Sequence, residues 1–539
     1  MRVAGSFVEN VDAPSRVATL LDRAAWGAAA GIVALHVVLL WRFAVDWPLH
    51  DDFTQIVAMP GYLVQLPTLG EKIALITQLA LEHRAATIRL AGWIASVAPG
   101  GMNFLALIAL GNALALGAGL VAIDAFPRPY RGAAALLAAL LLTSLTHYAA
   151  QYHATGALQH FGVAFYALAS LFALTKQHRV LAAALALTAV FTSGSGLLVL
   201  PCAALLTWLT GRRREALAWA VAATAVMAFY FVGYEGPASR SSLANLAGDP
   251  LHAIALALAS LGSIGGALSV SMLIGAAILL AWFGLLVRGT WRRVPPFVIA
   301  AAAFFGLALC VIAAGRASFG IEAVLLSRYR IGSALLVLLT IAALAAVVRP
   351  STYRWVQRAS IVSAGVLYAI AFSVGIASLV ELHVMQLAFR DHFAAADSGH
   401  YEVYRQEWGD FTLRRARELG VYTGARNGRP PAVLASAVPP QGSGLTGLHA
   451  NVYDGTGVFS AFGRVAGRHR EIFVWLRDER GTLRGTLRTL RYPGHRVHIE
   501  TAFHGTLSTS GLRPGRYQVG FSDDRNDGIA WTAHHIEVR

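Results

Sequence analysis

Between about residues 25 and 380 the chain is a succession of apolar stretches, each close to the roughly 20 residues that a helix needs to cross a bilayer. They begin near Ala25, Met102, Gly132, Ala157, Val180, Leu197, Leu217, Ala267, Pro296, Tyr329 and Ile361, which predicts about eleven spans. Only 14% of the residues are charged and mean hydropathy is +0.55, whereas a soluble domain carries about 25% charged residues. The pattern therefore predicts a polytopic α-helical membrane protein. The formal net charge of +15 raises the question of nucleic acid. Most of the excess before residue 380 lies in short Arg/Lys clusters between apolar runs, where it acts as a topology signal. Cys202 and Cys310 sit inside apolar segments with no CxxC or histidine nearby, so neither a disulfide framework nor a metal centre is expected.

Residues 1–27 are mostly polar and lack a short apolar core followed by a cleavage site, so the first run reads as a retained helix. With the N-terminus in the cytoplasm, the basic clusters "PRPYR", "KQHR", "GRRR", "RGTWRR" and "RPSTYRWVQR" all fall inside. The opposite side then receives "DDF", "HYAAQYHATG", "SGSG", "YEGPASRSS" and "GRASFG". Residues 251–287 fit this alternation if 251–263 re-enter or lie in the interface, with one true span following. "TSGSG" (192–196) reads as a tight turn between two spans.

Residues 1–380 thus form the membrane domain, with a large first outer loop at 46–101. An amphipathic helical connector is expected at 381–425 and a Pro/Gly-rich linker at 426–447. From 448 to 539 short alternating runs between Gly, Asp and Asn turns predict a small all-β, sandwich-like domain outside the membrane.

The outer loop concentrates ionisable groups. "WPLHDDFTQIV" places His50, Asp51 and Asp52 just beyond the first span. One aspartate there is explained by helix capping. Two acids beside a histidine point instead to a general base or a ligand at a membrane-edge cavity. Further along, "LEHRAATIR" carries Glu82, His83 and Arg84 in what reads as an interfacial helix. There Arg84 suits a phosphate and His83 a proton shuttle. "GRASFGIEAVLLSRYR" brings Arg316, Arg328 and Tyr329 to the outer end of a span, where arginine is disfavoured unless it meets an anion. Arg330 reads better as snorkelling. His153 and Glu235 are further polar residues on the outer side. The histidines show no HExxH spacing, which argues against zinc.

A cytoplasmic N-terminus, one span, an outer loop opening on an acidic pair, many spans and an outer C-terminal domain together resemble the GT-C superfamily of polyprenyl-phosphate-sugar-dependent membrane glycosyltransferases. The resemblance covers roughly the first 380 residues by layout, and by residue only the pair Asp51/Asp52. It implies an inverting enzyme in a bacterial cytoplasmic membrane, with Asp51 or Asp52 as catalytic base. The donor would be a polyprenyl-phosphate sugar and the acceptor an envelope glycan or lipid. No cofactor is required, although the paired aspartates suit a divalent metal. The Trp-Trp-Asp-type motif of oligosaccharyltransferases is missing. Two other expectations stand beside this one: a transporter or flippase of a lipid-linked or anionic solute, and a non-catalytic scaffold whose β domain binds envelope polysaccharide.

Overall fold

The structure, a computed structural model, describes residues 16–79, 83–234, 249–396, 406–422, 429–437, 439–440, 444–455, 457–494, 499–524 and 528–538. Eight of the described helices are long and apolar enough to cross a membrane: Thr19–Phe43, Phe104–Asp124, Arg128–Gln151, Ala154–Thr175, Leu268–Val287, Pro296–Phe319, Ser327–Val347 and Pro350–Ala396. The runs expected near Val180, Leu197 and Leu217 also form helices, Arg179–Val190, Val199–Leu209 and Arg213–Tyr230. The first two are short, and the third opens on Arg213, Arg214 and Glu215.

Two glycine contacts shape the bundle. Residues 250–287 form a helical hairpin, Pro250–Leu261 folding back on Leu268–Val287. The legs meet backbone to backbone, because a Cβ on Gly262 would strike the Ser271 carbonyl and one on Gly275 the Leu258 carbonyl. At "SGSG" a tight 3-10 turn, Gly194–Leu198, joins two helices, and a Cβ on Gly196 would collide with the Ala189 carbonyl.

The loop at 46–101 is not the continuous helix that its periodicity suggests. It breaks between Leu69–Thr77 and Ala86–Val97, and the break is stabilised by arginine. Arg89 Nη1 donates to the Leu75, Ile76 and Gln78 carbonyls, and Arg84 Nη1 donates to the Thr77 carbonyl. A helix end leaves its last carbonyls unsatisfied, and guanidinium groups meet them here.

The last membrane helix, Pro350–Ala396, runs 47 residues without interruption through residue 380, a length of about 70 Å at 1.5 Å per residue. Its final turns carry the β domain. Phe389 packs edge-to-face on Tyr453 and Phe462, and His392 Nδ1 lies 2.8 Å from Ser460 Oγ. The β domain is one continuous sheet in the order β2-β3-β6-β5-β4-β7-β8, with the short β1 (Ala435–Ser436) on β5. The path strands are β2 (His449–Gly455), β3 (Val458–Ala466), β4 (Ile472–Asp478), β5 (Gly481–Pro493), β6 (Ile499–Ser508), β7 (Gly515–Asp523) and β8 (Ala530–Val538). The first half of β5 pairs with β4 and the second half with β6, so this strand turns the corner of the fold. The outermost strands approach each other through Glu537 N to Asp454 Oδ2 (2.8 Å) and His534 Nε2 to the Ala450 carbonyl (3.2 Å). The domain is therefore barrel-like, and the expected two-sheet sandwich is corrected. Alternation alone marks the inward Ile472, Val474 and Leu476 but says nothing about closure.

The hairpin yields a stability contrast within one helix. Gly275→Ala is expected to destabilise the chain by about 1–3 kcal/mol through overpacking, whereas Gly284, with nothing near its Cα side, tolerates the same change. Thermal midpoints of the two variants in nanodiscs check this; equal midpoints would refute the close packing.

Candidate functional site

One end of the bundle holds a cavity of about 640 Å³. Its walls come from the turn Leu49–Asp51, the segment Tyr148–His160, the loop Leu326–Arg328, the long helix at Glu381–Met385, and Asn451 and Phe462 of the β domain. Four of the expected residues line it: His50, Asp51, His153 and Arg328. The chain is irregular on both sides. Phe53–Val57 and Ala157–Phe161 are π-helical turns, a form that is frequent at functional sites. His50 adopts φ +39°, a left-handed backbone that costs energy outside glycine.

Asp52 turns away from the cavity and is 1% exposed. Its Oδ2 accepts from Leu49 N (3.0 Å) and its Oδ1 from Thr155 N (2.7 Å). His153 Nε2 lies 3.2 Å from Asp52 Oδ1 and 3.0 Å from the Leu49 carbonyl. Burial alone would raise the Asp52 carboxyl, but the charge of His153 and the hydrogen bonds from His153, Leu49 and Thr155 outweigh it and hold the group below the usual carboxylate range. Burial would likewise lower His153, yet Asp52, then Asp51 and the Leu49 carbonyl, bring it above the ordinary imidazole value. Of the expected pair Asp51 or Asp52, Asp51 lines the cavity, whereas both oxygens of Asp52 are engaged in tying residues 49–52 to residues 153–155.

Arg84 does not reach the cavity either. Its Nε donates to the Tyr230 carbonyl at 3.0 Å, Nη1 to Thr77 at 2.9 Å and Nη2 to Val232 at 2.8 Å. A carbonyl oxygen thus meets each of its three nitrogens. His83 Nδ1 accepts from Gly194 N at 3.2 Å, which docks "EHR" on "SGSG". Burial, with the charges of Arg316 and Arg328, pushes its imidazole down to about 4, so it is neutral and no proton shuttle at neutral pH. Glu82 and Glu235 lie outside the described residues.

Behind the cavity stands a basic and aromatic cluster. Tyr329 is buried and meets His160 edge-to-face at 5.5 Å. The Arg316 guanidinium lies 6.0 Å and that of Arg328 5.2 Å from the Tyr329 ring centre. Among the described residues Arg328 makes no ion pair, and its Nε is buried without a hydrogen-bond partner. Arg330, by contrast, is held by the Leu325 and Thr146 carbonyls, a structural role as expected.

The sequence reading missed Glu381, Asn451 and Phe462 as wall residues. Glu381 had a signal, being a lone acid in the apolar "SLVELHVMQ". Asn451 and Phe462 had none, since nothing in a β pattern says which edge meets the membrane domain. Among the described residues one group of three metal-ligating side chains converges, His469, Asp523 and Asp524 in the β domain. The pair Asp51/Asp52 forms no such group. Comparison of the chain with protein-family profiles, with curated proteins and with solved structures returned no match.

The buried pair makes stability depend on pH from both sides. The lowered Asp52 contributes above the ordinary carboxylate range, and this contribution is lost as pH falls through its depressed midpoint. The raised His153 contributes below the ordinary imidazole value, and this is lost as pH rises through its elevated midpoint. Asp52→Ala, which removes the carboxylate beside His153 and leaves two amides unpaired, is expected to cost about 3–5 kcal/mol. Thermal midpoints measured against pH should separate wild type from variant most widely between the two titrations. A gap that stays constant with pH would rule out the ion pair.

Proposed function

We propose that the protein is a membrane glycosyltransferase that moves a sugar from a polyprenyl-phosphate donor to an acceptor hydroxyl in this cavity. The observation that carries the reading is the convergence of Asp51 and Arg328, far apart in the chain, on one cavity at one end of an apolar bundle. The reaction needs a cation where the phosphate departs and an anionic or basic group where the hydroxyl attacks. Arg328 brings a guanidinium whose Nε has no hydrogen-bond partner among the described residues to the first place, and Asp51 brings a carboxylate to the second, where its negative charge faces the attacking acceptor.

In this reading the phosphate oxygens receive the N–H groups of Arg328. The sugar C–O bond breaks with its electron pair left on the phosphate, and the acceptor oxygen bonds to the anomeric carbon from the opposite face. Arg316 adds positive charge from behind the Tyr329 ring. The β domain closes the cavity from above through Asn451 and Phe462, so an acceptor passes it on the way in. About eleven spans, a cytoplasmic N-terminus and an outer-face cavity complete the reading, supported by the basic clusters at the opposite end. There Arg131 pairs with Asp124, and Arg179 and Arg212 with Glu215.

The test is lipid-phosphate release by the purified chain in nanodiscs, against a panel of polyprenyl-phosphate sugars with an envelope extract as acceptor. Arg328→Gln is expected to lower turnover about 100-fold or more, and Asp51→Asn by at least a comparable factor. Arg84→Lys should act on stability and not on turnover per folded molecule. Donor binding without release, together with passage of the bound lipid between leaflets, would replace this reading by transport.

A further inference from the structure

We propose that His153 is the group that takes the proton from the acceptor hydroxyl, on Nδ1, and that Asp52 is its positioning residue. The inference rests on the sugar-transfer reading, but its geometry stands independently of any substrate. His153 Nε2 has two neighbours within hydrogen-bond distance, Asp52 Oδ1 at 3.2 Å and the Leu49 carbonyl at 3.0 Å, and both are acceptors. Nε2 must therefore carry the hydrogen, and in the neutral ring the lone pair is on Nδ1. Asp52 is itself fixed by the backbone amides of Leu49 and Thr155, so the ring is held at second hand by two chain segments.

Nδ1 is the ring nitrogen not engaged by Asp52 or Leu49. Its residue lines the cavity, and no hydrogen bond of the described structure ends on Nδ1. Gly156 lies directly beside it, and a Cβ there would stand 2.9 Å from Nδ1. Glycine at 156 thus leaves the nitrogen reachable from the cavity, while His50 flanks the ring edge-to-face at 5.6 Å. A buried carboxylate that fixes one imidazole nitrogen while the other faces a reacting hydroxyl is a general-base arrangement. Asp52 cannot take that part itself because its oxygens are occupied. The titratable and charged groups sharing the cavity with the ring are His50, Asp51, Tyr148, His160, Arg328 and Glu381.

The step balances. The acceptor O–H bond breaks and an N–H bond forms at Nδ1. The acceptor oxygen joins the anomeric carbon, and the phosphate leaves with the bonding pair into the field of Arg328. The new imidazolium faces the Asp52 carboxylate, which stabilises it.

Two measurements on the full chain in nanodiscs test the assignment. By ¹⁵N NMR of the imidazoles, with the signal assigned through His153→Gln, His153 should hold its hydrogen on Nε2 and titrate above the ordinary imidazole range. Asp52→Asn should move that midpoint down. In turnover, kcat/KM should rise with pH along a limb at the same midpoint, which shifts down in Asp52→Asn, and kcat should fall about 100-fold in His153→Gln. Gly156→Ala, which places a Cβ 2.9 Å from Nδ1, should lower kcat as well and serves if Asp52→Asn does not fold. A limb that stays in place while the NMR midpoint moves overturns the assignment and leaves Asp51 as base, with sugar transfer intact. Absence of turnover from wild type, with the NMR result as expected, overturns the sugar-transfer reading and the catalytic role with it.

Discussion

The buried Asp52 carboxylate holds the cavity end of this fold together. It lies at the meeting point of the first outer loop and the segment that links two membrane helices, and accepts a backbone amide from each. A bare carboxylate in such surroundings is costly, and a half-satisfied one more so. Here two amides and the His153 ring meet its oxygens, so the cost is offset by charge-assisted bonds. The consequence reaches beyond one contact. Fixing Leu49 against Thr155 forces the tight turn in which His50 takes its left-handed backbone, and places Asp51, the next residue, on the cavity wall.

The same economy of contacts brings the β domain into the site. A 47-residue helix carries membrane packing directly into the sheet without a hinge at the surface. At its end Tyr453 and Phe462 stack at 5.6 Å with Phe389 against both, and Ser460 bridges His392 and Thr506. Polar bonds fix the register of that interface and the aromatic rings supply its area. Phe462 therefore serves both as an anchor of the domain and as a wall of the cavity. A domain held this way moves with the helix, so what closes the cavity is continuous with what crosses the membrane.

Much of this was legible in the sequence because apolar length and charge alternation are strong signals. The eight long helices, the short helix before Leu268–Val287 and the glycine turn at "SGSG" all follow from local pattern. The roles of the charged residues were harder, since each is decided by a partner distant in the chain. "DD" reads the same whether the second acid faces substrate or binds Thr155, more than a hundred residues on. "EHR" reads as part of one helix because its periodicity is helical. The break arises only because Arg84 and Arg89 satisfy the carbonyls that the break exposes. Barrel closure likewise depends on which strands pair, and alternation is silent about that.

Electrostatics behind the cavity point in one direction. Arg316 and Arg328 approach one tyrosine ring, and His83 beside them is held neutral by burial and by those same charges. Two permanent cations are thus gathered where a third is suppressed, and Arg328 keeps a buried nitrogen without a partner. Guanidinium groups near a membrane boundary usually find a carboxylate or backbone oxygens, as Arg84, Arg89, Arg330 and Arg131 do here. Arg328, which lines the cavity, makes neither kind of contact among the described residues. In the proposed reading this guanidinium, set against the Tyr329 ring that favours its charge, meets the donor phosphate. The Asp52 carboxylate is engaged by the Leu49 and Thr155 amides and lies beside the His153 ring, away from Arg328's part in the proposed reading.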